Sequence, residues 1–181
     1  MQLTAQELIV IIDPQKDFTD LEGAYAKNHS ITQIQEVKAR INILTKRLDK
    51  NRFVIIYSNY QKDQFGDGIL MCLKSTKGHD IDIAFDDAAR LISKIQHSSF
   101  SSEEFKTYLK DNRIRTLILC GFLAEYCIRQ TAIDALENGY DVKLLKEFIG
   151  TGDDVQHRKQ AMLYDLENKG ATTINGIFDC E

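Results

Sequence analysis

Three residues of this chain combine reactive chemistry with a telling position. Asp13 ends an apolar run, Leu8-Ile-Val-Ile-Ile-Asp13. Lys94 ends a shorter one, Leu91-Ile-Ser-Lys94. Cys127 comes six residues after the end of a third, Arg115-Thr-Leu-Ile-Leu-Cys-Gly121. A thiol nucleophile, a carboxylate that can take its proton and an ammonium that can hold charge are the parts that thiol-based acyl transfer needs. Each residue alone has a plain structural reading. Asp-Pro commonly opens a turn, so Asp13 could be a turn former. A strand-end Lys can lay its stem on apolar surface and keep its head in water. A Cys on a helix face is often a small buried hydrophobe, which is the reading for Cys120. What the three share is one predicted edge of a sheet.

The local sequence around Cys127 sharpens this. Gly121-Phe-Leu-Ala-Glu-Tyr-Cys127 reads as strand end, tight turn and first helical turn. A thiol there faces free N–H groups and the positive end of a helix, which predicts a thiolate. The same N–H groups could hold an oxyanion during acyl transfer. Gly121 and Ala124 are small, and are expected to let the backbone approach a substrate.

The elements that must position the trio follow from hydrophobic patterning. Leu8–Asp13, Phe53–Ser58, Arg115–Gly121 and Tyr140–Leu145 are unbroken apolar runs or nearly so, and Arg90–Lys94 and Thr172–Ile174 are shorter candidates. Unbroken runs suggest strands covered on both faces, as in parallel sheets. Ile31–Asp49 carries Ile34, Val37, Ile41, Leu44 and Leu48 at helical spacing. Ser102–Leu109 opens with Ser and acids, which suit a helix N-terminus. Ala124–Asn138 and Asp153–Lys169 each stop at a glycine, Gly139 and Gly170. The alternation predicts a three-layer α/β/α sandwich around a mainly parallel six-stranded sheet, with residues 1–181 as one domain. Ligands in such folds bind beyond the carboxyl ends of the strands, near a switch in strand order. That is the edge where Asp13, Lys94 and Cys127 fall.

Composition excludes several other roles. Of 181 residues, 43% are hydrophobic and 28% charged, so a packed core is expected rather than disorder. Lys and Arg number 23 against 27 Asp and Glu, a net charge of −4, which argues against a partner made of nucleic acid or anionic lipid. No apolar run nears the ~20 residues that cross a bilayer, and no secretory leader is visible. A cytoplasmic location is expected, with Cys72, Cys120, Cys127 and Cys180 reduced. They form no CxxC pair and suggest no zinc knuckle.

The combined motifs resemble the isochorismatase-like cysteine hydrolases, which include nicotinamidases, N-carbamoylsarcosine amidohydrolases and isochorismatases. The resemblance is carried by Asp13-Pro-Gln-Lys-Asp-Phe18, Lys94 with Ser99-Phe100, Gly121-Phe-Leu-Ala-Glu-Tyr-Cys-Ile128, Thr131-Ala132 and Gly139-Tyr140. It implies a catalytic triad of Asp13, Lys94 and Cys127, with a thioester on Cys127. It implies a non-proline cis peptide between Phe122 and Leu123, and an oxyanion hole made by the N–H groups of Leu123 and Cys127. A homo-oligomer is expected on the same ground.

The chain also departs from relatives in that family. Nicotinamidases have an Asp-x-His and a further His that hold a divalent metal, whereas this chain reads Tyr57-Ser-Asn-Tyr-Gln-Lys-Asp63 there. No catalytic metal or other cofactor is therefore expected, and nicotinamide is a poor substrate candidate. His79 is read as a loop residue, and His29, His97 and His157 are given no role. Pocket walls are expected from Phe18, the segment Asn59–Leu70 and Tyr126, whose apolar faces suit a small planar amide. The leading expectation is a metal-independent cysteine amidohydrolase acting on a small C–N substrate. Vinyl-ether or ester hydrolysis is a same-fold alternative, and a non-enzymatic binding protein is the alternative of another class.

Overall fold

Among the described residues, six strands pair into one sheet, the central ones being runs of mostly apolar residues. They are β1 (Glu7–Ile12), β2 (Phe53–Ser58), β3 (Arg90–Lys94), β4 (Thr116–Phe122), β5 (Asp141–Gly150) and β6 (Thr172–Ile174). The structure is a computed structural model that describes residues 3–66 and 68–176. Strand order is β3-β2-β1-β4-β5-β6, and every pairing is parallel. The α-helices of the described residues are α1 (Lys16–Thr19), α2 (Thr32–Arg47), α3 (Glu103–Asp111), α4 (Arg129–Glu137) and α5 (Gln156–Asn168).

The unbroken apolar character of β1 follows from its burial on both faces. Leu8, Val10 and Ile12 pack in the layer that holds Phe105 of α3, Ala132 and Ala135 of α4, and Leu166 of α5. Ile9 and Ile11 pack in the opposite layer with Ile34, Val37, Ile41 and Leu44 of α2. Each such side chain contributes ~1.5–3 kcal/mol when buried. That apolar stripe holds α2 in place although the residue at its N-cap, Ile31, offers no capping side chain. Asp153, from the loop after β5, caps it instead by accepting from Thr32 N and Gln33 N, both at 2.8 Å.

Two elements differ from their sequence-based expectation. β5 runs on past Leu145 to Gly150, because a register shift between Leu119 and Gly121 lets its end pair with Gly121 and Phe122. The segment from Ala124 does not start as an α-helix: Ala124–Ile128 forms a wide π turn, and α4 begins only at Arg129. The C-terminal residues, Cys180 among them, lie outside the described residues. Among the described residues, no helix is long and apolar enough to cross a membrane.

Candidate active site

The strand order places a switch between β1 and β4. From β1 the chain builds outward through β2 to β3, then returns to add β4 on the other side. Connections leave the two central strands in opposite directions, which opens a crevice at their carboxyl ends. Asp13 stands at the end of β1 with φ 52, a left-handed conformation that Asp and Asn adopt more readily than most residues. Its N–H donates to Ile56 O at 2.8 Å, so β2 fixes the turn. β4 approaches β1 so closely that a Cβ on Gly121 would lie 2.1 Å from Ile12 O. Gly121 therefore serves strand packing, and Ala124 is fully buried in the core; neither is among the residues around the cavity in front of Cys127. The Phe122–Leu123 peptide is cis. π turns are rare and often mark functional sites; this one carries Cys127, which is 3% exposed.

The three side chains converge. Lys94 Nζ lies 2.9 Å from Asp13 Oδ2 and 3.4 Å from Cys127 Sγ. Its stem is not laid out toward solvent: the ion pair with Asp13 is fully buried. Lys94 also donates to Ser58 Oγ at 2.8 Å, to Tyr60 O–H at 3.0 Å and to Gln96 O at 2.9 Å. Ser58 in turn donates to Asp13 Oδ1 at 2.9 Å. Gln15 clamps the end of β2, accepting from Ser58 N at 2.7 Å and donating to Ser58 O at 3.0 Å and His79 O at 2.9 Å. Tyr60 O–H is 3.5 Å from the sulfur, and His97 Nδ1 is 3.8 Å from it.

Electrostatics correct one expectation. The start of a helix favours thiolate, yet burial pushes the Cys127 thiol up to about 12, with the Asp13 charge adding to the rise and Lys94 and Tyr60 working against it. The two charges are paired with each other, so their fields at the sulfur largely oppose, and desolvation decides the sign. Burial thus favours the neutral form of the Cys127 thiol. Burial also works against the Lys94 ammonium, but Asp13 and Cys127 outweigh it and raise its titration. Burial, then the Lys94 charge, lowers that of His97.

A cavity of about 620 Å³ opens in front of the sulfur. Phe18, Tyr60, Phe65, His97, Leu123 and Tyr126 are among the residues around it. Phe18 and Tyr126 thus lie where the sequence puts them, and the segment after β2 supplies Tyr60, Phe65, Ile69 and Leu70. Sequence reasoning missed Ser58 and His97, and had Tyr60 only within the Asn59–Leu70 wall, not as a partner of Lys94 and Cys127. Ser58 was within reach: it closes β2 in register with Lys94. Nothing in the spacing marks His97, which reaches the sulfur through a loop.

The isochorismatase domain model matches residues 7–176. The chain belongs to the isochorismatase family. N-carbamoylsarcosine amidase of an Arthrobacter species is 38% identical over 87 residues, 48% of this chain and 32% of that protein. Isochorismatase family protein 2A of Dictyostelium discoideum is 27% identical over 130 residues, 71% of this chain and 62% of its own. The matches thus span less than two thirds of both relatives. The pyrazinamidase of Pyrococcus horikoshii, crystallised with zinc, superposes with a TM-score of 0.82 at 20% identity, over 94% of this chain and 99% of its own. At that identity the likeness speaks for the fold.

Whether this member of the isochorismatase family could hold a metal as that pyrazinamidase does is a question of donors. Among the described residues, no three His, Cys, Asp or Glu side chains converge. His79 meets Tyr57 edge-on at 5.6 Å, and His97 lies flat on Phe65 at 4.3 Å. A catalytic zinc takes three protein ligands. These residues do not fit one, and no step below is routed through a metal.

Proposed function

We propose that this protein is a cysteine amidohydrolase that cleaves the C–N bond of a small amide or carbamoyl substrate. The observation that carries the reading is a buried thiol, flanked by Lys94 and Asp13, at the inner end of an apolar-walled cavity. The substrate carbonyl enters between Phe18 and Tyr126 and meets the sulfur. Asp13 takes the thiol proton as the S–C bond forms, which suits a thiol that is neutral at rest. The N–H groups of Leu123 and Cys127 hold the oxyanion. Asp13 then gives its proton to the nitrogen, the C–N bond breaks, and ammonia or an amine leaves a thioester on Cys127. Water hydrolyses that thioester, releasing a carboxylic acid and restoring the thiol. Lys94 stays charged throughout and offsets the carboxylate buried beside it.

A panel of small primary amides and carbamoyl compounds, scored by ammonia release, tests this. At least one is hydrolysed by the native protein and none by Cys127→Ser. Unchanged turnover in that variant removes the covalent mechanism.

A further inference from the structure

One titratable side chain other than Cys127 lies both on the cavity wall and within 4 Å of the sulfur through a ring nitrogen. Asp13 is fully buried, bonded by Ser58 and Lys94, and is not among the residues around the cavity. His97 is, and its Nδ1 faces the sulfur at 3.8 Å. The ring is held in that pose. It stacks on Phe65 with 12° between planes and meets Tyr126 at 5.6 Å. Its loop is tied down where Lys94 Nζ donates to Gln96 O at 2.9 Å, one residue before it. Burial and the Lys94 charge favour the neutral imidazole, whose Nδ1 accepts when the proton is on Nε2.

This geometry suits the second half of the reaction. Once the sulfur carries an acyl group, the attacking water comes from the cavity, where two bases compete for its proton: Asp13, which has just given a proton to the leaving nitrogen but stays paired with Lys94 outside the cavity lining, and His97, whose Nδ1 faces the sulfur from that lining. Tyr60 is no candidate, since burial, then the nearby thiol and carboxylate, push its phenol far up. We propose that His97 is the general base of thioester hydrolysis, an inference that rests on Cys127 being the nucleophile. Nδ1 takes one proton from the attacking water as the O–C bond forms. The tetrahedral adduct collapses, the C–S bond breaks, and His97 returns that proton to the departing sulfur. Water and thioester become carboxylic acid and thiol, with no other reactant.

The test uses p-nitrophenyl acetate, which acylates a reactive thiol without any knowledge of the natural substrate. The native protein hydrolyses it. In His97→Asn, p-nitrophenol is released stoichiometrically with Cys127 and turnover then slows by about 10²–10⁴-fold, the span of general base catalysis. Mass spectrometry shows acetyl-Cys127 accumulating, and added imidazole restores part of the rate. His97→Phe keeps a ring on Phe65 and should stall the same way, so it decides the matter if His97→Asn does not fold. Native steady-state rates in a folded variant overturn the role, as does loss of acylation together with hydrolysis. No ammonia from the amide panel, with the ester result as expected, removes the amidase reading and leaves His97 in place. No acetyl-Cys127 in any variant and no ester hydrolysis by the native protein overturn both.

Discussion

Replacing Asp13 with Asn should move thiol reactivity and catalysis in opposite directions. Asn tolerates the left-handed φ 52 at this position, so the turn survives. In the native site burial and then Asp13 hold the thiol near 12, which leaves about 10⁻⁴ of it ionised at pH 8. Removing a nearby like charge returns about 1–3 pKa units. Lys94 also loses its partner at 2.9 Å, and the sulfur at 3.4 Å becomes the group best placed to neutralise it. The ionised fraction at pH 8 then rises about 10–1000-fold. A thiolate of lower pKa is a weaker nucleophile, with a Brønsted slope of ~0.4–0.5, which leaves about a 3–60-fold faster alkylation. Turnover should fall about 10²–10⁴-fold, because Asp13 is the proton carrier of the proposed reaction. Iodoacetamide labelling at pH 8, mapped by mass spectrometry, reads the first effect, with buried Cys72 and Cys120 as internal controls. An unpaired buried ammonium destabilises by ~3–5 kcal/mol, so circular dichroism must show the variant folded. Slower or unchanged labelling of Cys127 refutes the assignment of Asp13 as the charge that holds the proton on sulfur.

Two further outcomes concern stability. Gly121→Ala should cost about 4 kcal/mol or more, because both the new Cβ and the Ile12 carbonyl 2.1 Å away are fixed by backbone; Gly139→Ala, with φ 79 and open space, should cost only about 1–2 kcal/mol. Urea unfolding of both variants measures the contrast, and equal losses would contradict the close approach of β1 and β4. Lys159 donates to Ile149 O at 2.6 Å, and burial, then the charges of Arg40 and Lys146, bring its titration down from 10.5 to about 8. Between those values the unfolded chain binds the extra proton, so this residue makes stability rise with pH from about 8 to 10.5. Lys159→Met should remove that rise in urea unfolding series; a persisting slope places its origin elsewhere.

The sheet was legible because β1, β2 and β4 are buried on both faces and read as unbroken apolar runs. Strand ends were legible for the same reason: a charged residue that stops such a run, as Asp13 and Lys94 do, has nowhere to go but the crevice or the solvent. The residues that tie the charges together were not. Ser58 and Tyr60 are ordinary polar residues until register sets Ser58 opposite Lys94. His97 depends on a loop path between β3 and α3, and loop paths carry no periodicity. The π turn was hidden too, since Ala124–Ile128 has the composition of a first α-helical turn.

The charge state of Cys127 shows why local position misleads here. A helix start acts on a thiol through partial charges of about half a unit that fade within a turn. Burial acts through loss of solvent on every side, and for a fully buried group can shift titration by about 3–5 units. Sequence reveals the first effect and conceals the second, which depends on a fold that leaves Cys127 3% exposed, with Tyr60 O–H 3.5 Å from its sulfur. A neutral thiol between a carboxylate and an ammonium also makes chemical sense. In the proposed reaction it resists alkylation in the empty site, and ionises only when a carbonyl carbon is in place to take the electron pair as Asp13 takes the proton. Reactivity is then tied to occupancy of the cavity, so a bound acid product, which offers no such carbon, should leave Cys127 as slow to alkylate as it is in the free protein.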